Sequence, residues 1–214
     1  MLKKVLLSLL AVGIIAVIAL AIFIFFAMKG PDLSQYQHLM DPQISQKPSQ
    51  KMLVVEAKGD PNIVGSKAFA LLFKAYFKTV KGGRMQIPRA RWPQDLGTGL
   101  DEWVGQYALP VPEPTDKLPD IRIEPGFKIS LAEWEYGMVA EILHIGPYSK
   151  ETPTVDKLKK YAHDNGYYIT GLHEEEYLKG PGMFGPGDPG KYQTIIRYRV
   201  EKTAAEETKE KKNK

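Results

Sequence analysis

The chain contains no cysteine. Disulfides and thiolate-ligated zinc are thereby excluded, and the redox compartment stays open. Histidine is scarce too, with four in 214 residues, and no two of them stand at i, i+4. His173, beside Glu174, fits no metal-ligand spacing, so the sequence implies no metal site and no cofactor. The Gly-rich phosphate loop, the G-x-S-x-G elbow and the HExxH helix are all missing, and with them the signatures of three large enzyme classes. Neither sign of charge dominates: 29 basic and 25 acidic residues leave a formal net charge of +4. Lys and Arg are scattered rather than lined up, so there is no nucleic-acid footprint.

Of long apolar runs there is one. Val5 to Ala27 carries no charge and only Ser8 as a polar side chain. As a helix it measures about 34 Å, against a hydrocarbon core of about 30 Å. The run is too long for the apolar region of a cleaved signal peptide and lacks small residues at its end. The sequence therefore predicts a flank at 1–4, a transmembrane anchor at 5–28 and a polar linker at 29–50, ahead of a folded domain at 51–202 and a charged, disordered tail at 203–214. Lys3 and Lys4 precede the run and Lys29 follows it. The positive-inside rule then puts the N-terminus in the cytoplasm and the domain outside, as a single-pass membrane protein.

Within the domain, Met52–Lys58 reads as a strand stopped by Gly59-Asp60-Pro61. A helix follows over 66–80, with Ala68, Leu71, Leu72, Ala75 and Tyr76 as its buried stripe and Phe69 and Phe73 beside it. Short strands are expected at 85–87, 103–111, 121–123 and 127–134. Met138–His144 is a further strand, ended by Gly146-Pro147. Thr152 and Pro153 open a second helix, with Val155, Leu158, Tyr161 and Ala162 inward. Extended segments at 167–170, 174–178 and 192–200 close the domain around a Gly/Pro-rich loop at 180–190. Both halves thus read strand, Gly/Pro stop, helix, strands. The expectation is an α+β fold made of duplicated strand-helix-strand-strand halves. They form a mainly antiparallel sheet with two helices on one face and a cleft on the other.

Five pieces of the second half carry a family resemblance: His144-Ile145-Gly146-Pro147-Tyr148, the helix after Thr152, Gly171, Glu175-Glu176-Tyr177-Leu178, and Thr194-Ile195-Ile196. In order and spacing they resemble the GyrI-like small-molecule-binding family, which includes the effector-binding domain of multidrug-responsive transcription activators. The resemblance covers roughly 51–202. Ile195 and Arg199 depart from it, standing where the family often has an acidic residue and a proline. It implies a pseudo-twofold arrangement of the halves and maps the family's cleft glutamate onto Glu175. No helix-turn-helix segment precedes the domain, which sets aside the usual activator layout.

Period-2 alternation puts Glu175 and Tyr177 on one strand face, and Glu174, Glu176 and Leu178 on the other. A carboxylate sunk among aromatic rings must be paired or change its pKa. Against this, three consecutive glutamates alone suggest a solvated acidic turn. Tyr148, His144, Trp92, Trp103, Tyr107 and Trp134 are candidate walls of the ligand site; singly, each is also an ordinary packing residue. The leading reading is a membrane-anchored, non-enzymatic domain that senses or sequesters a small amphipathic, cationic or aromatic compound. Its partners would be that ligand and, through residues 5–28, the lipid bilayer. Two alternatives stay open: a GyrI-like hydrolase using Glu175, with Tyr148 helping to position water, and a tethered adaptor for a protein partner.

Overall fold

The computed structural model describes residues 33–82, 84–92, 99–181 and 187–204. From Tyr36 onward these form one unit, built on a sheet of nine antiparallel strands. In chain order the elements are β1 (Gln43–Lys47), β2 (Gln50–Lys58), α1 (Pro61–Thr79), β3 (Arg89–Trp92), β4 (Val104–Pro110), β5 (Phe127–Trp134), β6 (Gly137–Ile145), α2 (Thr152–Asp164), β7 (Tyr167–Ile169), β8 (His173–Lys179) and β9 (Gln193–Lys202). Across the sheet they run β1-β6-β9-β8-β3-β4-β2-β5, with β7 paired to β9.

That order contains the duplication. β2, α1, β3 and β4 form one half, and β6, α2, β8 and β9 repeat it. Each half contributes three adjacent strands, and the halves meet along β3 and β8, where Ala90 pairs with Glu175 and Trp92 with His173. The duplicated antiparallel architecture expected from the sequence is present in the structure.

Local chemistry explains most boundaries. α1 begins earlier than its apolar stripe because the Asp60 side chain accepts from the Asn62 N–H at 2.9 Å and Pro61 occupies the first turn, where its missing N–H costs nothing. Its buried face is Gly65, Ala68, Leu72, Ala75 and Tyr76. α2 begins at Thr152, with Glu151 in the cap position but making no capping bond. Between β6 and α2 the chain turns at Gly146, whose φ of 141° is open to glycine. His144 ties that turn down: its Nε2 donates to the Pro147 carbonyl at 3.3 Å and its Nδ1 accepts from the Thr154 hydroxyl at 2.9 Å. The first-half strand falls at 89–92 rather than 85–87, and 43–47, within the stretch read as linker, is β1, paired along β6.

Two expectations need correction. Both helices cover one face, but the cleft glutamate lies on that face and not on the other. Val55, Tyr107, Ala90, Glu175, Ile196 and Ile142 are successive register partners across six strands, so they share a face. Val55 and Tyr107 pack with α1, and Ile196 and Ile142 with α2. Glu175 sits midway, at the seam. The second correction concerns the membrane. Among the described residues no helix is long and apolar enough to cross a bilayer, and the run 5–28 lies outside them. The transmembrane element, the single-pass topology, the bilayer contact through 5–28 and the extracytoplasmic placement have no element in the structure to carry them.

Candidate functional site

The site is built on β8, where alternate residues His173, Glu175 and Tyr177 point toward the helices. Opposite them, the turn after β6 swings Tyr148 and Glu151 back over the sheet. Glu175 is buried, and its Oε1 accepts from the indole N–H of Trp92 on β3 at 2.7 Å. Since that N–H can only donate, it holds the carboxylate oxygen as an acceptor. The same Oε1 lies 3.3 Å from His173 Nε2, and the Glu151 carboxylate lies 3.7 Å from that nitrogen. On the far side of the ring, His173 Nδ1 meets the Tyr198 hydroxyl at 2.6 Å, a group that can donate or accept and so serves either tautomer. One donor atom from each of Glu151, His173 and Glu175 falls within 4.8 Å of the others.

Aromatic rings enclose this cluster. Tyr177 meets Tyr148 edge-on at 5.6 Å and Phe69 of α1 at 5.7 Å, while Trp92 packs on Trp103 at 5.3 Å and on Tyr107 at 5.7 Å. Two glycines make room. A Cβ on Gly105 would lie 2.7 Å from the Tyr107 ring, and one on Gly180 would lie 2.7 Å from the Tyr148 hydroxyl.

Burial sets the electrostatics. It pushes the Glu151 carboxyl up to about 8, helped by the nearby Glu175 carboxylate. Burial and then Glu175 raise Tyr107 to about 12. Tyr148 and Tyr177 are raised for the same two reasons, and Tyr198 by burial with Glu151 and Glu175 behind it. These phenols stay protonated.

The opposite face of β8 is chemically separate. There Arg197 donates to Glu141 at 2.6 Å, to Glu176 at 2.9 Å and to Glu174. Arg91 pairs with Glu174 at 2.7 Å, Arg89 with Glu176 at 3.2 Å and Lys47 with Glu141 at 3.1 Å. The run 174–176 is therefore buried on both faces rather than solvated.

Of the residues singled out in the sequence, Glu175, Tyr177, Tyr148, Trp92, Trp103 and Tyr107 come together here. His144 instead secures the turn that positions Tyr148. Trp134 lies on the other face, beneath the Arg91 guanidinium at 3.9 Å. Glu151 and Tyr198 escaped the sequence reading, and His173 was weighed there only for metal-ligand spacing and set aside, whereas the fold places it within reach of two carboxylates. His173 was reachable, since it is two residues before Glu175 and shares its strand face; Glu151 and Tyr198 needed the tertiary fold. The cluster also corrects the reading of a passive, non-enzymatic binding cleft. Two carboxyl groups and an imidazole converging beside a set of aromatic rings are groups that can move a proton.

No protein-family model and no curated protein matches the chain. Solved structures do. It is similar to an uncharacterised conserved protein from Listeria innocua at 23% identity and a TM-score of 0.63, over 79% of this chain and 99% of that one. A protein from the same organism described as a hydrolase matches at 21% identity and a TM-score of 0.60, again over 79% and 99%. The EcmrR C-terminal domain matches at 16% identity and a TM-score of 0.54, over 76% and 98%. At such identities the likeness establishes the fold.

Proposed function

We propose that this chain is a hydrolase acting on a small molecule with a planar aromatic part and an electrophilic carbon. The observation that carries the reading is the convergence of Glu151, His173 and Glu175 beside the aromatic rings. The fold it shares with neighbours from Listeria innocua described as hydrolases supports it further. The rings hold the planar part of the substrate, edge and face contacts being tolerant of its exact shape. Glu175, held as an acceptor by Trp92, takes a proton from water. The water oxygen bonds to the electrophilic carbon, the bond to the leaving group breaks, and the proton reaches the leaving group through His173. Tyr198 orients the imidazole.

The test is a turnover screen with chromogenic aryl and naphthyl esters on the full-length chain, purified without chelator. Hydrolysis is expected, and Glu175→Gln should lower kcat/KM by roughly 10²–10⁴-fold, the range of general acid–base catalysis. Binding of these compounds without turnover, or turnover unchanged in Glu175→Gln, overturns the reading.

A further inference from the structure

We propose that Glu151, His173 and Glu175 together hold one divalent transition ion, zinc or manganese, with a coordination position left for water. This deepens the reading of the same three residues as the reacting centre and rests on it, with Glu175 and His173 holding the ion and a water on that ion taking the place of the water that Glu175 would otherwise deprotonate. Three independent features of the site lead there.

The first is spacing. His173 Nε2 lies 3.3 Å from the Glu175 oxygen and 3.7 Å from the Glu151 oxygen. Donors bonded at 2.0–2.1 Å to a tetrahedral ion are about 3.4 Å apart. Two of the three edges are therefore near their final length, and only the carboxylates must draw closer. With no cysteine in the chain, the donors are one imidazole and two carboxylates, a set that suits zinc or manganese rather than cuprous copper.

The second is support behind the donors. When Tyr198 accepts from His173 Nδ1–H, the Nε2 lone pair points at the two carboxylates. The Trp92 N–H fixes the Glu175 oxygen in the same way. Ligands oriented by outer hydrogen bonds are the rule at protein metal sites.

The third is charge. Glu141, Glu174 and Glu176, buried on the opposite face, each have an Arg or Lys partner. Among the described residues Glu151 and Glu175 have none, and the only basic side chain in contact with either is His173. The Glu151 Oε2 atom is buried without any hydrogen-bond partner. Buried carboxylates are paired, neutralised or coordinated to a metal. A divalent ion would supply the missing positive charge, and a bound water would become a nucleophile at neutral pH.

The measurement is equilibrium dialysis of the untagged, full-length chain against zinc or manganese chloride, with elemental analysis of both compartments. One ion per chain is expected, with magnesium and calcium retained far less. His173→Ala and Glu175→Gln should each lose at least 10-fold in affinity, and Tyr198→Phe about 10-fold as an outer-shell change. His163→Ala, at the exposed end of α2, should bind as the parent does. Melting curves of each variant without metal identify any that fail to fold, and Glu151→Gln provides a further variant carrying the same expectation. Sub-stoichiometric uptake of both ions at micromolar concentration overturns the proposal, as does full uptake by the folded His173→Ala and Glu175→Gln variants. A chain that hydrolyses esters but takes up no ion overturns this inference alone. One that binds the ion without turnover overturns the hydrolase reading alone.

Discussion

At the scale of residues, Arg197 is the group whose loss is felt most. It is buried among Glu141, Glu174 and Glu176, and those three attractions outweigh the burial that would otherwise lower its pKa. Arg197→Leu removes the one cation that all three buried carboxylates share and leaves each with its second partner alone, Lys47, Arg91 or Arg89, a change worth about 3 kcal/mol, to be read from the urea midpoint at neutral pH. The deficit should narrow in acid. Burial works to raise the Glu176 carboxyl, yet Arg89 and Arg197 overcome it and hold the group below its ordinary value of 4.5. Its contribution is therefore present above that pH and is lost as pH falls through the lowered value. Equal deficits at pH 7 and pH 3 would contradict this. The sequence showed the alternation that separates Glu175 from its neighbours. It could not show that Glu174 and Glu176 are buried, because Arg91, Arg89 and Arg197 come from two other strands.

Among the elements, the two helices contrast at their N-termini. Asp60 caps α1, whereas Glu151, in the corresponding place before α2, makes no cap and turns its carboxylate toward His173 instead. Asp60→Ala should cost about 1 kcal/mol of stability and leave turnover intact, as chemical denaturation and the ester assay together would show. A loss of activity in a fully folded variant would mean that the start of α1 reaches into the site. Helix stripes and the longer strands were readable from periodicity, and so was the turn at Gly146-Pro147. β3 was harder to place. Its sequence, Arg-Ala-Arg-Trp, carries charge on one face because that face pairs with glutamates of β8, and local alternation alone does not reveal such a partner. Glu151 stayed hidden for a related reason: a glutamate before Thr-Pro looks like a helix-start residue, and only the fold brings β8 beneath it.

Taken as a whole molecule, the two halves are joined by more than a loop. β3 and β8 pair across the seam, the Trp92–Glu175 hydrogen bond crosses it, and Arg89 and Arg91 meet their carboxylates only in the other half. A chain stopped after residue 135 would present β3 as a bare edge with two unpaired arginines. It should show no cooperative melt by calorimetry, in contrast to the full-length protein. A sharp transition from that fragment would mean that the first half folds independently.

The alternation along β8 has one more consequence. Even and odd positions of a single short strand answer to different demands: 174 and 176 belong to a set of ion pairs that spans the sheet, whereas 173 and 175 face the aromatic rings and are held by single hydrogen bonds to Tyr198 and Trp92. Such a strand is a natural site for divergence. New chemistry can be tried at alternate positions while the intervening ones keep the protein folded, so relatives of this chain can exchange one reactivity for another without first inventing a new architecture.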